Sequence, residues 1–349
     1  MKLKTILFFM GCTIPGMAYT QIFSGEYTAE WQWDTKKKTN WVNLLRLDMD
    51  LTLWKGGALE AATIHVAKTN ESIIDDWQTF SNIEEDNNFA AIAILGYMHT
   101  WEKARLFVGV RNVNEDFFTS DATSLFTGSS CGIFPTISAS YPISNYPLSG
   151  MTIYFDVNLG RWTFKNSLYN GVGYNGWNRN DNPFLVRPKR DGVFDMAQLE
   201  YECGNGHYFA GMAVHNRQWA IDKIDKEEEM SPVEETLKKT SCAWWVYGEQ
   251  PVWKTDEKKV ILMAQYSENT YGSNDCYRYA EIGCVYAGRS NRVGVSGQHA
   301  RFHQGKEWSL ELTWSKAINE SLFIQPIFQY VGNGNGNFTV LGARVHCSF

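Results

Sequence analysis

The feature that most constrains this chain is a strict alternation of apolar and polar residues. From Arg46 to Leu53, every odd position is apolar and every even position is polar or charged. Successive side chains of a β-strand point to opposite faces, so this segment predicts a strand with one apolar and one polar face. The same alternation recurs, with some blurring at Phe323 and Ile327, in four other segments: Tyr27–Trp33, Glu307–Ser315, Leu322–Tyr330 and Leu341–Phe349.

The length of these segments distinguishes a membrane barrel from a soluble sandwich, which would also alternate around its core. The apolar stretches are about 9–11 residues long, as a tilted strand needs to cross a bilayer, whereas sandwich strands average about 5–6. The chain also has 14 Trp, 17 Tyr and 20 Phe, and many of these rings fall at strand ends. Rings in that position are typical of the aromatic belts at membrane interfaces.

About sixteen such segments follow one another, an even number as in bacterial single-chain barrels. The predicted fold is all-β, a transmembrane antiparallel β-barrel with long extracellular loops and an inward constriction loop. The predicted strands are residues 25–34, 42–54, 58–66, 90–101, 104–112, 150–158, 160–169, 193–203, 207–216, 242–254, 258–267, 277–287, 292–300, 307–315, 321–331 and 338–349.

The N-terminus indicates export from the cytoplasm. Two lysines precede an apolar run over residues 6–17 that is too short to span a bilayer, and small residues follow it. We interpret residues 1–20 as a cleaved signal peptide and residues 21–349 as one barrel domain. The alternatives are a buried N-terminal strand and a lipoprotein modified at Cys12. No later apolar run reaches 18 residues, which argues against membrane helices.

Charge and cysteine content exclude several classes of partner. Loss of the two signal-peptide lysines leaves 30 basic against 38 acidic residues, a net charge of about −8, which argues against nucleic acid. The six cysteines outside the signal form no C-x-x-C pair and no Cys/His zinc spacing, so no metal is expected. An exported protein permits disulfides, and the sequence leaves their pairing open.

The sequence contains no catalytic signature. G-x-S-x-G, H-E-x-x-H and the P-loop motif are all missing. The glycine-rich segment from Gly332 to Gly336 follows a strand and precedes no helix, so it is better explained as a turn between the last two strands. We therefore expect neither enzymatic activity nor a cofactor.

Charged residues on the polar faces indicate a polar lumen. A charge facing lipid at mid-depth costs about 2–4 kcal/mol, so these side chains should point inward. Among them, Arg46, Asp48 and Glu249 are candidates for solute contact. The full set comprises Arg46, Asp48, Asp50, Arg111, Asp156, Glu200, Glu249, Glu281, Glu311 and Arg344.

The long connections indicate which end of the barrel is extracellular, because such barrels have their long loops on the outside of the cell. They run over residues 68–88, 114–148, 171–191 and 217–241, and Ser231–Glu235 in the last one predicts a short helix. The segment from Asn114 to Leu148 contains four phenylalanines, including Phe117 and Phe118, too many for a freely solvated loop. We expect it to fold into the lumen and narrow it.

Taken in order, several segments resemble the carbohydrate-selective porins of the OprB type. They are Leu106–Asn112 followed by the Phe-rich loop, Tyr247–Gln250, Ile282–Arg289, Ile324–Val331 and the closing strand that ends in Phe349. The resemblance implies sixteen strands and passive uptake of mono- and oligosaccharides with no chemical step. It also implies an eyelet near Arg111, with Phe117 and Phe118 beside it. The acidic lumen and Asn291, where the family pattern suggests Asp, depart from it.

The predicted location is the outer membrane of a Gram-negative bacterium. The expected partners are small carbohydrates, outer-membrane lipid and lipopolysaccharide, and the barrel assembly machinery. The last is expected because the terminal Phe349 resembles the signal that this machinery reads. The protein would be a monomer or a homotrimer. The alternatives are a general or differently selective porin, an outer-membrane barrel enzyme, and a soluble sugar-binding sandwich.

If the Phe-rich loop narrows the lumen, deletion of Ser120 to Ser130 should raise single-channel conductance in planar bilayers, because the obstructing segment is removed. Unchanged conductance would reject an inward position for this loop.

Overall fold

The computed structural model describes residues 21–217, 240–270 and 275–349. The predicted signal peptide and the predicted helix at Ser231–Glu235 lie outside these residues.

The described chain forms sixteen antiparallel strands, each paired with its neighbours in sequence. All sixteen predicted strands are confirmed, with ends that differ by a few residues from the prediction. The strands are β1 Gln21–Trp33, β2 Thr39–Trp54, β3 Gly57–Lys68, β4 Asn88–Thr100, β5 Ala104–Arg111, β6 Gly150–Asn158, β7 Trp162–Asn170, β8 Val193–Cys203, β9 Gly206–His215, β10 Ser241–Lys254, β11 Lys259–Asn269, β12 Cys276–Ala287, β13 Asn291–Phe302, β14 Gly305–Ala317, β15 Leu322–Asn333 and β16 Gly336–Ser348.

The first and last strands close the barrel. Residues Glu26–Trp33 of β1 pair in antiparallel register with Leu341–Ser348 of β16. Beyond the ladder, Gly25 and Phe349 exchange two backbone hydrogen bonds, both 2.9 Å. Closure leaves no open sheet edge, and an open edge in hydrocarbon would leave backbone groups without partners.

The strands separate apolar from polar side chains as predicted. On β14, Trp308, Leu310, Leu312 and Trp314 are 41–48% exposed on the outer face. Glu311, which lies between them in sequence, is only 2% exposed and points inward. Strand register places all ten predicted lumen charges on the inner face of the wall.

Connections of very different length share the extracellular end. The loops at 69–87, 112–149 and 171–192 lie there, together with the two-residue turns 303–304 and 334–335. Short turns therefore occur at the extracellular end as well as at the periplasmic end. The Trp77 ring of the first loop packs over them, 3.1 Å from where a Cβ on Gly305 would lie and 3.6 Å from one on Gly334. That loop thus folds inward across the mouth of the barrel.

Little helix is present in the described residues. The loop at 112–149 contains three 3₁₀ turns and one short helix, α1, at Pro135–Ser138. None of the described helices has the length and apolar character needed to cross a membrane.

The six cysteines beyond the predicted signal are all free thiols. Cys131 and Cys276 are buried, and burial raises the pKa of the Cys131 thiol well above its ordinary value. These two act as small packing residues, and none of the six forms a cross-link.

A charge placed on the lipid face should destabilise the barrel according to its depth. Leu312→Arg, near the middle of β14, should lower the free energy of unfolding by about 2–4 kcal/mol. Equilibrium unfolding by guanidinium in lipid vesicles measures this change.

Ile318→Arg is the matched control, because Ile318 is 54% exposed in the turn after β14. Its cost should stay near roughly 0–1 kcal/mol, as found near the interfaces. Equal costs at both positions would contradict the assigned membrane depth.

The constricted lumen as candidate functional site

The loop between β5 and β6, residues 112–149, is here called the inner loop, and it begins at a buried ion-pair network. The Arg111 guanidinium donates to Asp116 through Nε (2.6 Å) and Nη2 (2.9 Å), and to Glu60 through Nη1 (2.9 Å). It also lies 4.8 Å from the centre of the Phe107 ring. With 6% of its surface exposed, Arg111 is almost inaccessible to a solute. Its geometry fixes the point where the chain turns from the wall into the lumen.

The phenylalanines of the inner loop pack against rings of the barrel wall. Phe117 meets Tyr154 edge to face, with centroids 6.1 Å apart, and Phe118 lies 5.1 Å from Trp245. Phe134 meets Phe118 edge to face at 5.2 Å. Phe117 and Phe118 are 1% and 4% exposed, so the structure places both rings beneath the loop. These contacts bury a large apolar area and hold the loop inside the barrel.

Carboxylates of the wall bind backbone groups of the inner loop. Glu311 accepts hydrogen bonds from Thr127 N (2.8 Å), Thr127 Oγ1 (3.0 Å) and Gly128 N (3.2 Å). Glu249 accepts from Ala122 N (2.9 Å) and Ser120 Oγ (2.5 Å). Buried N–H groups outside regular structure need such acceptors, and a carboxylate is a strong one. Inward-facing acids therefore position the loop.

The loop between β3 and β4, residues 69–87, is here called the covering loop, and it is held in the same way. Glu307 accepts from Trp77 N (2.7 Å) and Gln78 N (2.9 Å). The two loops also bond to each other, since Asn82 N donates to Thr127 O (2.7 Å) and Ser129 N to Thr79 O (3.0 Å). The pair forms one constriction, whereas the sequence analysis assigned this role to the inner loop alone.

A narrow passage remains between the two loops and the wall. It consists of two adjoining cavities of about 550 and 430 Å³ that share Glu85, Ser138, Asn145 and Tyr146. The outer cavity is also lined by Asp86, Asn87 and Asn88, and the inner one by Arg46, Trp77, Asn112, Asn114 and Glu115.

From the inner cavity, polar residues continue along the inner face of β2 towards the periplasmic end. Arg46, Asp48 and Asp50 follow at every second position of the strand. Asp50 is exposed to the lumen. We call the two cavities and this strand face the passage.

Arg46 links the wall to the inner loop beside the inner cavity. Its Nη1 lies 2.7 Å from Glu115 Oε1, its Nη2 3.0 Å from Glu115 Oε2, and its Nε 3.0 Å from each Asp48 oxygen. The three side chains remain 15–26% exposed, unlike Arg111. Because a guanidinium has five N–H donors and carboxylates accept several bonds, the group retains capacity for hydroxyl-bearing solutes.

The acidic residues of the covering loop set the electrostatics of the outer cavity. The pKa of Glu85 is raised to about 7. Burial is the main cause, and the neighbouring Asp86 carboxylate contributes to the same increase. Burial also raises the pKa of Glu84. Since a raised carboxyl pKa means protonation at higher pH, Glu85 loses its negative charge as the pH falls through about 7.

The structure therefore divides the six candidate residues of the sequence analysis. Arg46 and Asp48 lie together on the passage. Arg111, Phe117, Phe118 and Glu249 lie in the contacts that seat the inner loop, and Glu249 is across the barrel from Arg46.

Sequence reasoning missed several passage residues, among them Trp77, Glu85, Glu115 and Tyr146. The signal for the covering loop was present, because Ile73, Ile74, Trp77 and Phe80 are too apolar for a solvated loop. In the part of the chain that the structure describes, no three His, Cys, Asp or Glu side chains are grouped as a metal site would need.

Comparison with known proteins agrees with this architecture. The model of the carbohydrate-selective porin, OprB family, matches residues 20–349. The high-pH structure of Pseudomonas putida OprB aligns with a TM-score of 0.76 at 15% identity, covering 94% of each chain. OmpT of Vibrio cholerae, an outer membrane protein in trimer form, aligns at 0.59 and 11% identity, over 95% of this chain and all of the other.

An anion-selective porin from Comamonas acidovorans aligns at 0.60 and 10% identity, with 95% and 100% coverage. A comparison with curated proteins gave no match.

A closed sixteen-stranded barrel with loops folded into a polar lumen defines an outer-membrane porin. This chain belongs to the carbohydrate-selective porin, OprB family.

The hydrogen bonds that Glu311 accepts should be necessary for low current noise in the open channel. Glu311→Ala leaves the buried N–H groups of Thr127 and Gly128 without acceptors, at a cost of roughly 1–3 kcal/mol for each group. We expect more open-channel current noise and faster chymotrypsin cleavage at Phe126.

Glu311→Gln keeps one carbonyl acceptor and should lie between the alanine variant and the unmodified protein. If the alanine variant is as quiet and as resistant to cleavage as the unmodified protein, Glu311 does not seat the loop.

Proposed function

We propose that mono- and oligosaccharides diffuse down their gradient through the passage between the covering loop and the inner loop. Membership of the carbohydrate-selective porin family supports this cargo. The single observation that carries the route is the Asp48–Arg46–Glu115 group, which is partly exposed at the junction of wall and loop.

The side chains around the passage suit weak binding of sugars. Arg46 offers N–H donors, and Asp48 and Glu115 offer acceptors to ring hydroxyls. Trp77 and Tyr146 border the inner cavity, where a ring can lie against the apolar face of a sugar. Conduction needs binding that is favourable enough for entry and weak enough for release, which a few partly solvated contacts provide.

The remaining candidate residues have a different role in this proposal. Arg111, Phe117, Phe118 and Glu249 hold the inner loop against the wall and so fix the width of the passage. The contacts between loop and wall that they form are buried, and a solute in the passage would meet Arg46 and Glu115 instead.

A differently selective porin is the alternative, and the acidic lining favours a preference for cations. Asp48, Asp50, Glu85, Asp86 and Glu115 lie along the passage, with Arg46 among them. A narrow acidic channel raises the local concentration of cations and lowers that of anions. Neutral sugars do not feel this field to first order, so cation preference and sugar passage are compatible.

The proposal includes no chemical step, and it leaves the protein as a monomer or a homotrimer. The C-terminal Phe349, whose backbone is bonded to Gly25 at the closing seam, would present the signal for the barrel assembly machinery before closure.

Titration of sugar block of the ion current tests the route. Arg46→Ala should weaken binding of glucose and maltose by about 1 kcal/mol, or roughly fivefold in Kd, because a partly solvated charged hydrogen bond is lost. Liposome swelling with glucose, maltose, arginine and succinate gives the selectivity of the same variant.

Arg105→Ala is the matched control, since Arg105 faces the lumen from β5, bonded to Asp156, outside the constriction. Its sugar Kd should equal that of the unmodified protein. Equal Kd values for all three proteins would exclude a sugar contact at Arg46.

Titration of Glu85 should appear in ion selectivity. As the pH falls from 8 to 6, protonation of Glu85, whose pKa is raised to about 7, should reduce the preference for cations. The reversal potential in a salt gradient measures this preference.

Glu85→Gln should remove most of that pH dependence, whereas Glu71→Gln, on an exposed part of the same loop, should retain it. Identical pH profiles for Glu85→Gln and the unmodified protein would show that Glu85 does not set the field.

A further inference from the structure

The lipid-facing wall of β11–β14 has an unusual row of charges near its extracellular end. Glu268, Arg278, Arg301 and Lys306 are successive cross-strand partners on these four strands. Cross-strand partners lie on the same face of a sheet. That face is the outer one, because it also contains Ile282, 70% exposed, at a regular spacing from Arg278.

The row has an excess of positive charge. Arg278 is paired with Glu268 through Nη2 and Oε1 at 3.1 Å. Arg301 and Lys306 are direct partners across β13 and β14, and neither forms an ion pair with any of the described residues. Asp275 lies at the same rim, where its carbonyl accepts from His303 N. Like charges placed directly opposite on a sheet repel each other, so an anion between Arg301 and Lys306 would relieve that repulsion.

An apolar groove of about 1030 Å³ lies directly below this row on the same outer face. One cross-strand line through the groove runs Gly248, Ala264, Ile282 and Gly297, so its floor is formed by small residues on either side of the protruding Ile282. A Cβ built on Gly297 would meet nothing within 4 Å, so the wall is open there. Its larger outward-facing lining residues are Val246, Leu262, Ile282 and Leu310.

Aromatic rings mark the depth at which the two features meet. Tyr266 pairs with Trp244 at a centroid distance of 5.4 Å, and Trp308 pairs with Tyr330 at 5.2 Å. Trp308 lies two positions below Lys306 on β14. Trp and Tyr prefer the boundary between headgroups and hydrocarbon. The charged row is therefore at headgroup level and the groove at acyl-chain level, on the extracellular side.

We propose that this wall binds a phosphorylated, acylated glycolipid of the outer leaflet, with a phosphate between Arg301 and Lys306 and an acyl chain in the groove. Arginine is suited to phosphate through two parallel N–H bonds, and lysine adds a point charge. Arg278 lies beside Arg301, with part of its charge neutralised by Glu268. The site is outside the barrel and is independent of sugar passage.

Charge complementarity favours this occupant over a second copy of the chain. A contact between copies through the same face would bring two basic rows near each other, which repel in a membrane. A phosphorylated lipid instead supplies both the missing negative charge and the hydrocarbon that the groove is shaped to contact.

Native mass spectrometry of the folded full chain in detergent, titrated with bisphosphorylated lipid A, tests the site. The unmodified protein should bind one tight equivalent, and raised salt should weaken it. Arg301→Gln/Lys306→Gln should weaken that binding at least tenfold, and Gly297→Phe should weaken it by filling the groove. The charge-conserving Arg301→Lys/Lys306→Arg should retain it.

Lys37→Gln/Lys38→Gln is the matched control, because it removes two lysines from the β1–β2 turn at the same end of the barrel. It should bind like the unmodified protein, and heat-modifiable gel mobility confirms that each variant is folded. Dephosphorylated lipid A and inorganic pyrophosphate should each bind much more weakly, because one lacks the charge and the other the acyl chain.

Tight binding by the glutamine double variant would overturn the phosphate site, and tight binding by Gly297→Phe would overturn the acyl groove. Loss of an oligomer rather than of lipid in Gly297→Phe would assign the groove to a contact between copies and also overturn the proposal. Liposome swelling with sugars should be unchanged in these variants. Loss of lipid binding can then be distinguished from a failure of the proposed sugar route.

Discussion

The requirement that every backbone polar group in hydrocarbon be hydrogen-bonded governs this structure. Closure of β1 on β16 meets it for the wall, down to the bonds between Gly25 and Phe349. The same requirement applies to the loops that enter the lumen, whose backbone has no ladder to join. There the wall supplies carboxylates, so that Glu249, Glu307 and Glu311 take the place of strand partners.

This use of acidic residues explains why many charged side chains of the lumen are buried against the loops. Arg111 and Asp116 neutralise each other where the inner loop begins. The Glu311 carboxylate is occupied by hydrogen bonds from Thr127 and Gly128. The Asp48–Arg46–Glu115 group, in contrast, stays partly exposed. The residues that seat the loops and the residues that border the passage are thus largely different, and Arg46 belongs to both sets because it also bonds to Glu115 of the inner loop.

The outer face follows the opposite rule, since hydrocarbon tolerates charge only near the headgroups. The basic row on β11–β14 obeys it by lying at the extracellular rim above apolar rings. The same alternation of residues therefore places one set of side chains towards the aqueous lumen and the other towards lipid. The inner series holds loops and meets solutes, and the outer series meets lipid, so the two functions proposed here occupy the same strands without sharing side chains.

The sequence by itself determined the sixteen strands, their two faces and the inward position of a Phe-rich loop, because alternation and segment length are local properties that the membrane converts directly into structure. It singled out Arg46 and Asp48 but could not separate Arg46 from Arg111, which has the same charge and the same inward face. Only the tertiary structure decided that Arg111 is buried beside Asp116 while Arg46 stays accessible beside Glu115. The same holds for the covering loop, whose contact with Glu307 joins positions 230 residues apart. Contacts between such distant positions depend on barrel closure and loop packing, and no local pattern encodes them.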